Sequence, residues 1–401
     1  MVSQSEGPML AGVRVVEFGQ FIAAPGTTML LADLGAQVIK VESLQGDGAR
    51  VSASYGPQTP MYVAYNRRKR SIALNLRSPE GLDVARRLAL DADVVVQNAR
   101  AGVMERLGLD AKTLREKKPS LIYASVTGFG SLGPSRERPG LDIAAQAESG
   151  VMSVTGEPDG SPMKVGFAVV DAATTLALSG AIAAALFHRE RTGMGRTIDT
   201  SLLEVAIHLQ AQIWAEYDQT HRLPVRTGNS QSSVAPAADL IPVADGHIVI
   251  SAYLPDHWVR LCQAIARPEM ATEQRFATNS ARVANRPALL EALREGLGHL
   301  SGEDARKLLE SHGVVVGVVK NFDQVAASPD VRDAGIFIPV QDGEGREATV
   351  PGAPYRFDSA RTASVPSVPR LGEHSREILA GLDFDAARID ALIAGGHVKA
   401  G

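Results

Sequence analysis

Short β-branched runs alternate with Ala- and Leu-rich stretches through the first half of the chain. Val13–Phe18 reads as a buried strand, and a loop then leads to Pro25, which opens a helix through Asp33 that Gly35 closes. Val38–Val41 supplies a second strand, Pro79–Leu90 a helix, and Asp93–Val96 and Leu121–Val126 two more strands. Alternation of this kind predicts a mainly parallel sheet covered on both faces. Ala172–His188 and Ser201–Tyr217 read as long Ala-rich helices.

The texture then changes. Arg222–Ala238, with Pro224, Gly228 and Pro236, reads as a loop-rich connector and a domain boundary. Asp245-Gly246 precedes the alternating run His247–Ala252 and predicts a hairpin. Helices are expected over His257–Ile265, Pro287–Leu297 and Glu303–Ser311, a strand over Gly313–Val319, and an extended stretch over Val350–Arg361. The tail returns to helix over Glu373–Gly381 and Asp385–Ala394. The expected layout is a large α/β domain interrupted by a smaller α+β domain: residues 1–221, then 222–330, then 331–401 completing the first.

Composition narrows the class. The 401 residues carry a net charge of −4, which leaves no general basic field for nucleic acid. The single cysteine, Cys262, cannot form an internal disulfide and fits a reducing compartment. Met1–Gly7 is polar where a signal peptide would turn apolar, and the apolar stretch around Thr175–Phe187 is too short to span a bilayer. The expectation is a cytoplasmic protein without nucleic-acid or membrane partners.

Candidate chemistry is first a matter of exclusion. No histidines pair at ligand spacing, no cysteine cluster exists, and GxxxxGK[ST] does not occur, so neither a metal site nor a P-loop is expected. Gly128-Phe-Gly130-Ser-Leu-Gly133 matches GxGxxG, but Pro134 and the charged Arg136–Arg138 follow where a helix should open, so it reads as a glycine loop. No GxSxG elbow supports a serine hydrolase. Arg67-Arg68-Lys69-Arg70 reads as a solvated loop or as a seat for phosphates. Asn98–Arg106 offers further donors just after a strand end, where open α/β sheets bind ligands. Asp171 stands between the apolar run Val165–Val170 and the expected helix Ala172–His188. There it would cap the helix, whose dipole would favour the ionised carboxylate by about 0.3–1 kcal/mol. Small neighbours, Ala172 and Ala173, would leave it open to a substrate carbonyl, as a carboxylate nucleophile requires.

Several segments, in order along most of the chain, resemble class III CoA-transferases of the formyl-CoA transferase type. They are Leu10–Glu42, Asn66–Leu76, Asn98–Gly108, Tyr123–Pro134, Gly140–Gly156, Asp171 with Arg191–Arg196, and Leu371–His374. The resemblance implies a Rossmann-like large domain, an interlocked homodimer, and exchange of CoA between an acyl-CoA co-substrate and a small carboxylic acid without metal. It makes Asp171 the catalytic aspartate, carrying acyl and then CoA. It places Ile22 and Ala23 along the thioester arm, and Leu74, Asn75, Leu76 and Arg77, with Asn98, Ala99 and Arg100, against CoA. Arg106 falls at a phosphate position, and Pro139, Gly140, Leu141 and Asp142 form another CoA segment, with Asp142 an acid near the active site.

The chain also departs from its models. Formyl-CoA transferases carry Gln at the position of Ile22, Lys at that of Pro139, and a glycine-rich loop that Gly228–Gln231 lacks, which argues against oxalate and formate. Related racemases carry His in a Gly-His-Asp motif, where this chain has Gly140-Leu141-Asp142. A racemase or isomerase on the same scaffold is the alternative, and it would need that missing base. A non-catalytic CoA-binding protein is a further alternative, and it would have no use for Asp171. Amides near Gly128 and Gly130 are candidates for an oxyanion site.

Overall fold

The computed structural model describes residues 7–51, 58–230, 237–252, 254–357 and 366–401. Parts of three sequence readings, the connector Arg222–Ala238, the Gly228–Gln231 loop and the stretch Val350–Arg361, lie outside the described residues. In chain order the strands are β1 (Arg14–Phe18), β2 (Gln37–Glu42), β3 (Lys69–Leu74), β4 (Val94–Gln97), β5 (Ile122–Thr127) and β6 (Thr197–Ser201). They continue with β7 (Ala238–Val243), β8 (Gly246–Ser251), β9 (Val315–Val318), β10 (Phe337–Gln341), β11 (Glu347–Pro351) and β12 (Val398–Lys399).

The large sheet has the order β12-β3-β2-β1-β4-β5-β6. Every pairing in it is parallel except that of β12 with β3. Its inner strands are apolar on both faces because both are covered. Val15, Val94, Val96, Ile122 and Ala124 point into one core with helix residues Leu178, Ile182 and Leu186. Val16, Val95 and Tyr123 alternate into the other, against Val84, Leu88 and Leu392. Period-two alternation thus feeds two helical layers from a single strand.

Three helices carry the site: α1 (Ala23–Asp33), α2 (Asp142–Glu148) and α3 (Val169–Thr192). Helix α1 begins two residues before Pro25, which sits in the first turn, where its missing N–H leaves no partner unserved. Gly35 follows with φ +99°, and a Cβ there would lie 2.2 Å from the Pro8 side chain. Helix α3 is longer than the sequence reading, so Asp171 lies inside its first turn and Ala168 occupies the N-cap. The expectation that Asp171 stands before the helix as its cap is therefore wrong. Among the described residues α3 is the one helix long and apolar enough to cross a membrane, outrunning the Thr175–Phe187 stretch. Its buried positions belong to the core beside β5. The stretch read as one helix from Ser201 is two, Leu202–His208 and Ala211–Thr220, with the buried Gln210 between them.

The chain divides into two compact units, one of residues 1–151, 165–214 and 334–401, the other of residues 152–164 and 215–333. In the second unit β7, β8 and β9 form an antiparallel sheet, and Trp258, Phe276 and Leu293 anchor its core. In the first, the Leu371–His374 motif is a clasp: the Gly372 amide donates to Ser71 Oγ and the His374 amide to the Ser71 carbonyl, both at 3.0 Å.

Candidate active site

Strand order reverses direction between β1 and β4, and the loops leaving their carboxyl ends, Gly19–Ile22 and Asn98–Ala101, line the crevice that such a switch point opens. The loops are joined by a two-way amide clasp. The Gln20 amide donates to Asn98 Oδ1 at 2.9 Å, and Asn98 Nδ2 donates to the Gln20 carbonyl at 2.8 Å. The Asn98 side chain is thereby committed to holding the crevice.

Three cavities meet at Ala99, which lines all of them. One, of about 460 Å³, is lined by Asp171 with Ile22, Ala23, Asn98, Arg100, Pro139, Gly140 and Leu141. A second, of about 520 Å³, is lined by Leu74, Asn75, Leu76 and Arg77 together with Met104. The third, of about 740 Å³, brings Arg100 and Arg106 together with Arg136. Asp142 lines none of them; it stands behind Leu141 as the first residue of α2. Among the described residues no ion pair engages Arg77, Arg100 or Arg106.

The Arg67–Arg70 run is neither a solvated loop nor a phosphate seat. Arg67 is 1% exposed and pairs with Asp33 at 2.6 Å, Lys69 pairs with Glu17 at 2.8 Å, and Arg70 reaches Glu377 at 3.2 Å. Lys69 belongs to a buried ionic network that shapes the crevice from below. Glu17 also accepts from Lys40 at 2.6 Å and from Thr28, and Lys40 donates to the Gly19 carbonyl at 2.9 Å. Asp47 accepts the amide of Phe21, whose φ of 63° turns the chain sharply into α1. Burial works against ionising Glu17, but Lys40 and Lys69 beside it bring its carboxyl down to about 2. Burial pushes the Lys69 ammonium down to about 8.

Asp171 sits in the opposite electrostatic condition. Burial, and then the charge of Asp142, push its carboxyl up to about 7. The sequence reading had the helix end favouring ionisation, but the amides of that end are already taken. Asp142 Oδ1 accepts from the amides of Val170 at 2.8 Å and Asp171 at 3.1 Å, the task an N-cap side chain performs and the Ala168 methyl cannot. Asp142 Oδ2 accepts from Gln146 Nε2 at 2.5 Å. The Asp171 carboxylate itself accepts no hydrogen bond from the described residues. Tyr65 lies within its field, which together with burial raises the Tyr65 hydroxyl.

The glycine loop is built for close approach. A Cβ on Gly128 would lie 2.5 Å from the Gly140 Cα, so these two backbones meet only as glycines. The Gly130 amide is bonded to Thr127 Oγ1 at 2.9 Å and is not available as an oxyanion donor. Sequence reasoning missed Gln146, Thr127, Tyr65 and Arg136. Only Gln146 left a usable trace, four residues after Asp142 and hence on the same helical face.

A crevice at the switch point of a parallel sheet, with arginines and a carboxylate that have no partner among the described residues, defines an α/β protein able to handle an anionic ligand. Residues 10–375 match the model of CoA-transferase family III, and the chain belongs to that family. It is 36% identical to the succinate–glutarate CoA-transferase of Agrobacterium fabrum, over 94% of this chain and 96% of that protein. It is also 36% identical to the succinyl-CoA:mesaconate CoA-transferase of Haloarcula marismortui, over 95% and 99%. The crystal structure of a CAIB/BAIF family protein from Brucella suis superposes with a TM-score of 0.82 at 37% identity, covering 93% of this chain and 99% of that one. The chain is a class III CoA-transferase, and a CoA thioester is its co-substrate.

Proposed function

We propose that Asp171 is the nucleophile that carries CoA between acids. Its carboxylate attacks the thioester carbonyl of the donor, the C–S bond breaks, and CoA leaves as thiolate from a mixed anhydride. The thiolate then attacks the Asp171 carbonyl, releasing the donor acid and leaving an aspartyl-CoA thioester. The acceptor carboxylate displaces the thiolate to form a second anhydride, and the thiolate attacks its acceptor carbonyl. New acyl-CoA departs and the Asp171 carboxylate returns. Each step conserves the activation of the thioester. One observation carries this reading: a cavity-lining carboxylate that nothing among the described residues hydrogen-bonds, with a pKa pushed up to about 7. Such a carboxylate is more basic, and hence more nucleophilic once ionised, than a solvated one.

The relatives' names favour dicarboxylic acids as acceptors, with succinyl-CoA as donor. Arg136 would meet the distal carboxylate, since it lines the cavity that holds Asp171 and its one ion pair among the described residues is a 3.3 Å contact with the exposed Glu137. A screen of mono- and dicarboxylic acids against succinyl-CoA and acetyl-CoA tests this, and transfer confined to monocarboxylic acids would refute it. The working form is proposed to be the interlocked homodimer that the family resemblance implies. A folded monomer at micromolar concentration in light scattering would exclude it.

A further inference from the structure

The first turn of α3 is the point where two carboxyl groups meet one helix end. Asp142 reaches that end from α2 and takes the amides of Val170 and Asp171. Its remaining oxygen is held by Gln146, which has no solvent exposure. The orientation of the Gln146 amide is set at its far side, where Oε1 accepts the Val165 amide at 2.8 Å. Nε2 must then face Asp142. All three donors to Asp142 are N–H groups, so it meets them purely as an acceptor.

We propose that Asp142, locked by Gln146, is a positioning residue for the transfer reaction: it stands as a fixed anion at the head of α3 and keeps the Asp171 carboxylate free for substrate. The proposal rests on the reading of Asp171 as nucleophile. With Asp142 removed, the freed amides would turn to the nearest carboxylate, which is that of Asp171 itself. Ionised Asp171 would then be satisfied by the protein, less basic, and drawn from the cavity toward the helix. Asp142 therefore holds the reactive group by occupying the place that would otherwise disarm it. The charged and titratable groups facing Asp171 are Asp142 from α2, Tyr65 from the helix Pro60–Tyr65, and the cavity arginines Arg100, Arg136 and Arg138. Arg138 is already held by Glu148 at 2.7 Å.

Two variants test the proposal. Asn at position 142 can still accept from the two backbone amides, but its NH₂ group then faces Gln146 Nε2, donor against donor. Asp142→Asn should lower kcat 10- to 100-fold, leave KM for acyl-CoA within about threefold, and move the acid limb of the kcat/KM profile down by about half to one pH unit. Gln146→Met keeps the Asp142 charge while releasing its grip; it should lower kcat three- to tenfold without moving that limb, and it serves where Asp142→Asn does not fold. Hydroxylamine trapping during turnover is run on each variant. With the label still on Asp171, wild-type kcat and an unmoved acid limb in Asp142→Asn, or wild-type kcat in Gln146→Met, would overturn the positioning role. A label on another residue would instead overturn the nucleophile reading on which it rests.

Discussion

Asp142 Oδ1 lies 3.1 Å from the backbone nitrogen of Asp171, so one carboxylate caps the helix that carries the other. Burial of the Asp171 carboxyl, and then the like charge of Asp142, work against ionising it. The consequence for stability has a definite sign. Asp171 has a folded-state pKa near 7 against an ordinary value of 3.8, so the folded chain binds a proton that the unfolded chain has released. Its ionisation therefore costs stability fully above pH 7, progressively less as pH falls toward 4, and nothing below.

Asp171→Asn should accordingly stabilise the fold at pH 8, by about 1–3 kcal/mol once the residual solvent access of the site is allowed for. Urea unfolding of both proteins at pH 8 and at pH 4 checks it. The gain should disappear at the lower pH, and an equal or larger gain there would contradict the assignment.

Glu17 is predicted to matter in the reverse sense. It is fully buried between Lys40 and Lys69, and its carboxyl is held at about 2 against an ordinary 4.5. That contribution is present above pH 4.5 and is lost as pH falls toward 2. Glu17→Gln leaves the buried Lys69 ammonium without its ion-pair partner, while Lys40 keeps Asp47 at 2.9 Å, and should cost about 3–5 kcal/mol. The same change should weaken CoA binding, because Lys40 also holds the Gly19 carbonyl at the start of the crevice loop. Unfolding and CoA titration of the variant read both effects.

Arg100 and Arg106 are unpaired among the described residues and line one cavity with Arg136. Each should meet a phosphate of CoA, an interaction worth about 1.5–3 kcal/mol when charge-assisted. Arg100→Ala and Arg106→Ala should raise KM for acyl-CoA roughly 10- to 100-fold while kcat stays within about twofold. The loss should shrink as salt rises. A fall in kcat at constant KM would place either residue in the chemistry instead.

Leu141 is 62% exposed and immediately precedes α2. Its side chain can neither take nor give a proton, whereas exchange at an α-carbon needs a positioned base. Acyl-CoA incubated with the protein in deuterium oxide without acceptor acid should gain no α-deuterium. Rapid incorporation, followed by mass spectrometry, would favour the isomerase alternative.

Much of this was legible in the sequence because periodicity reports burial. Val15-Val16 and Val94–Val96 are apolar on successive residues because the strands they predict are covered on both faces. Motif order then led to the residues that line the three cavities. What stayed hidden depended on contacts distant in sequence. Nothing near Arg67 announces that Asp33, at the end of α1, neutralises it. Nothing near Asp171 shows that Asp142, 29 residues away, would take its helix-capping role. The Asp171 error was one of register: the apolar run Val165–Val170 reads as lying before the helix, but Val169 and Val170 are the first turn of α3. Capping rules identify which residue types serve a helix end, not whether a side chain from elsewhere serves it first.

The central claim is that Asp171 becomes acylated and then carries CoA, and it is tested most directly by trapping the intermediate. Hydroxylamine or borohydride is added during turnover with succinyl-CoA and an acceptor acid, and the modified peptide is identified by mass spectrometry. The account predicts a label on Asp171, with Asp171→Asn unlabelled, inactive in transfer and still able to bind CoA. A label on another acid such as Asp142, or near wild-type transfer by Asp171→Asn, would contradict it.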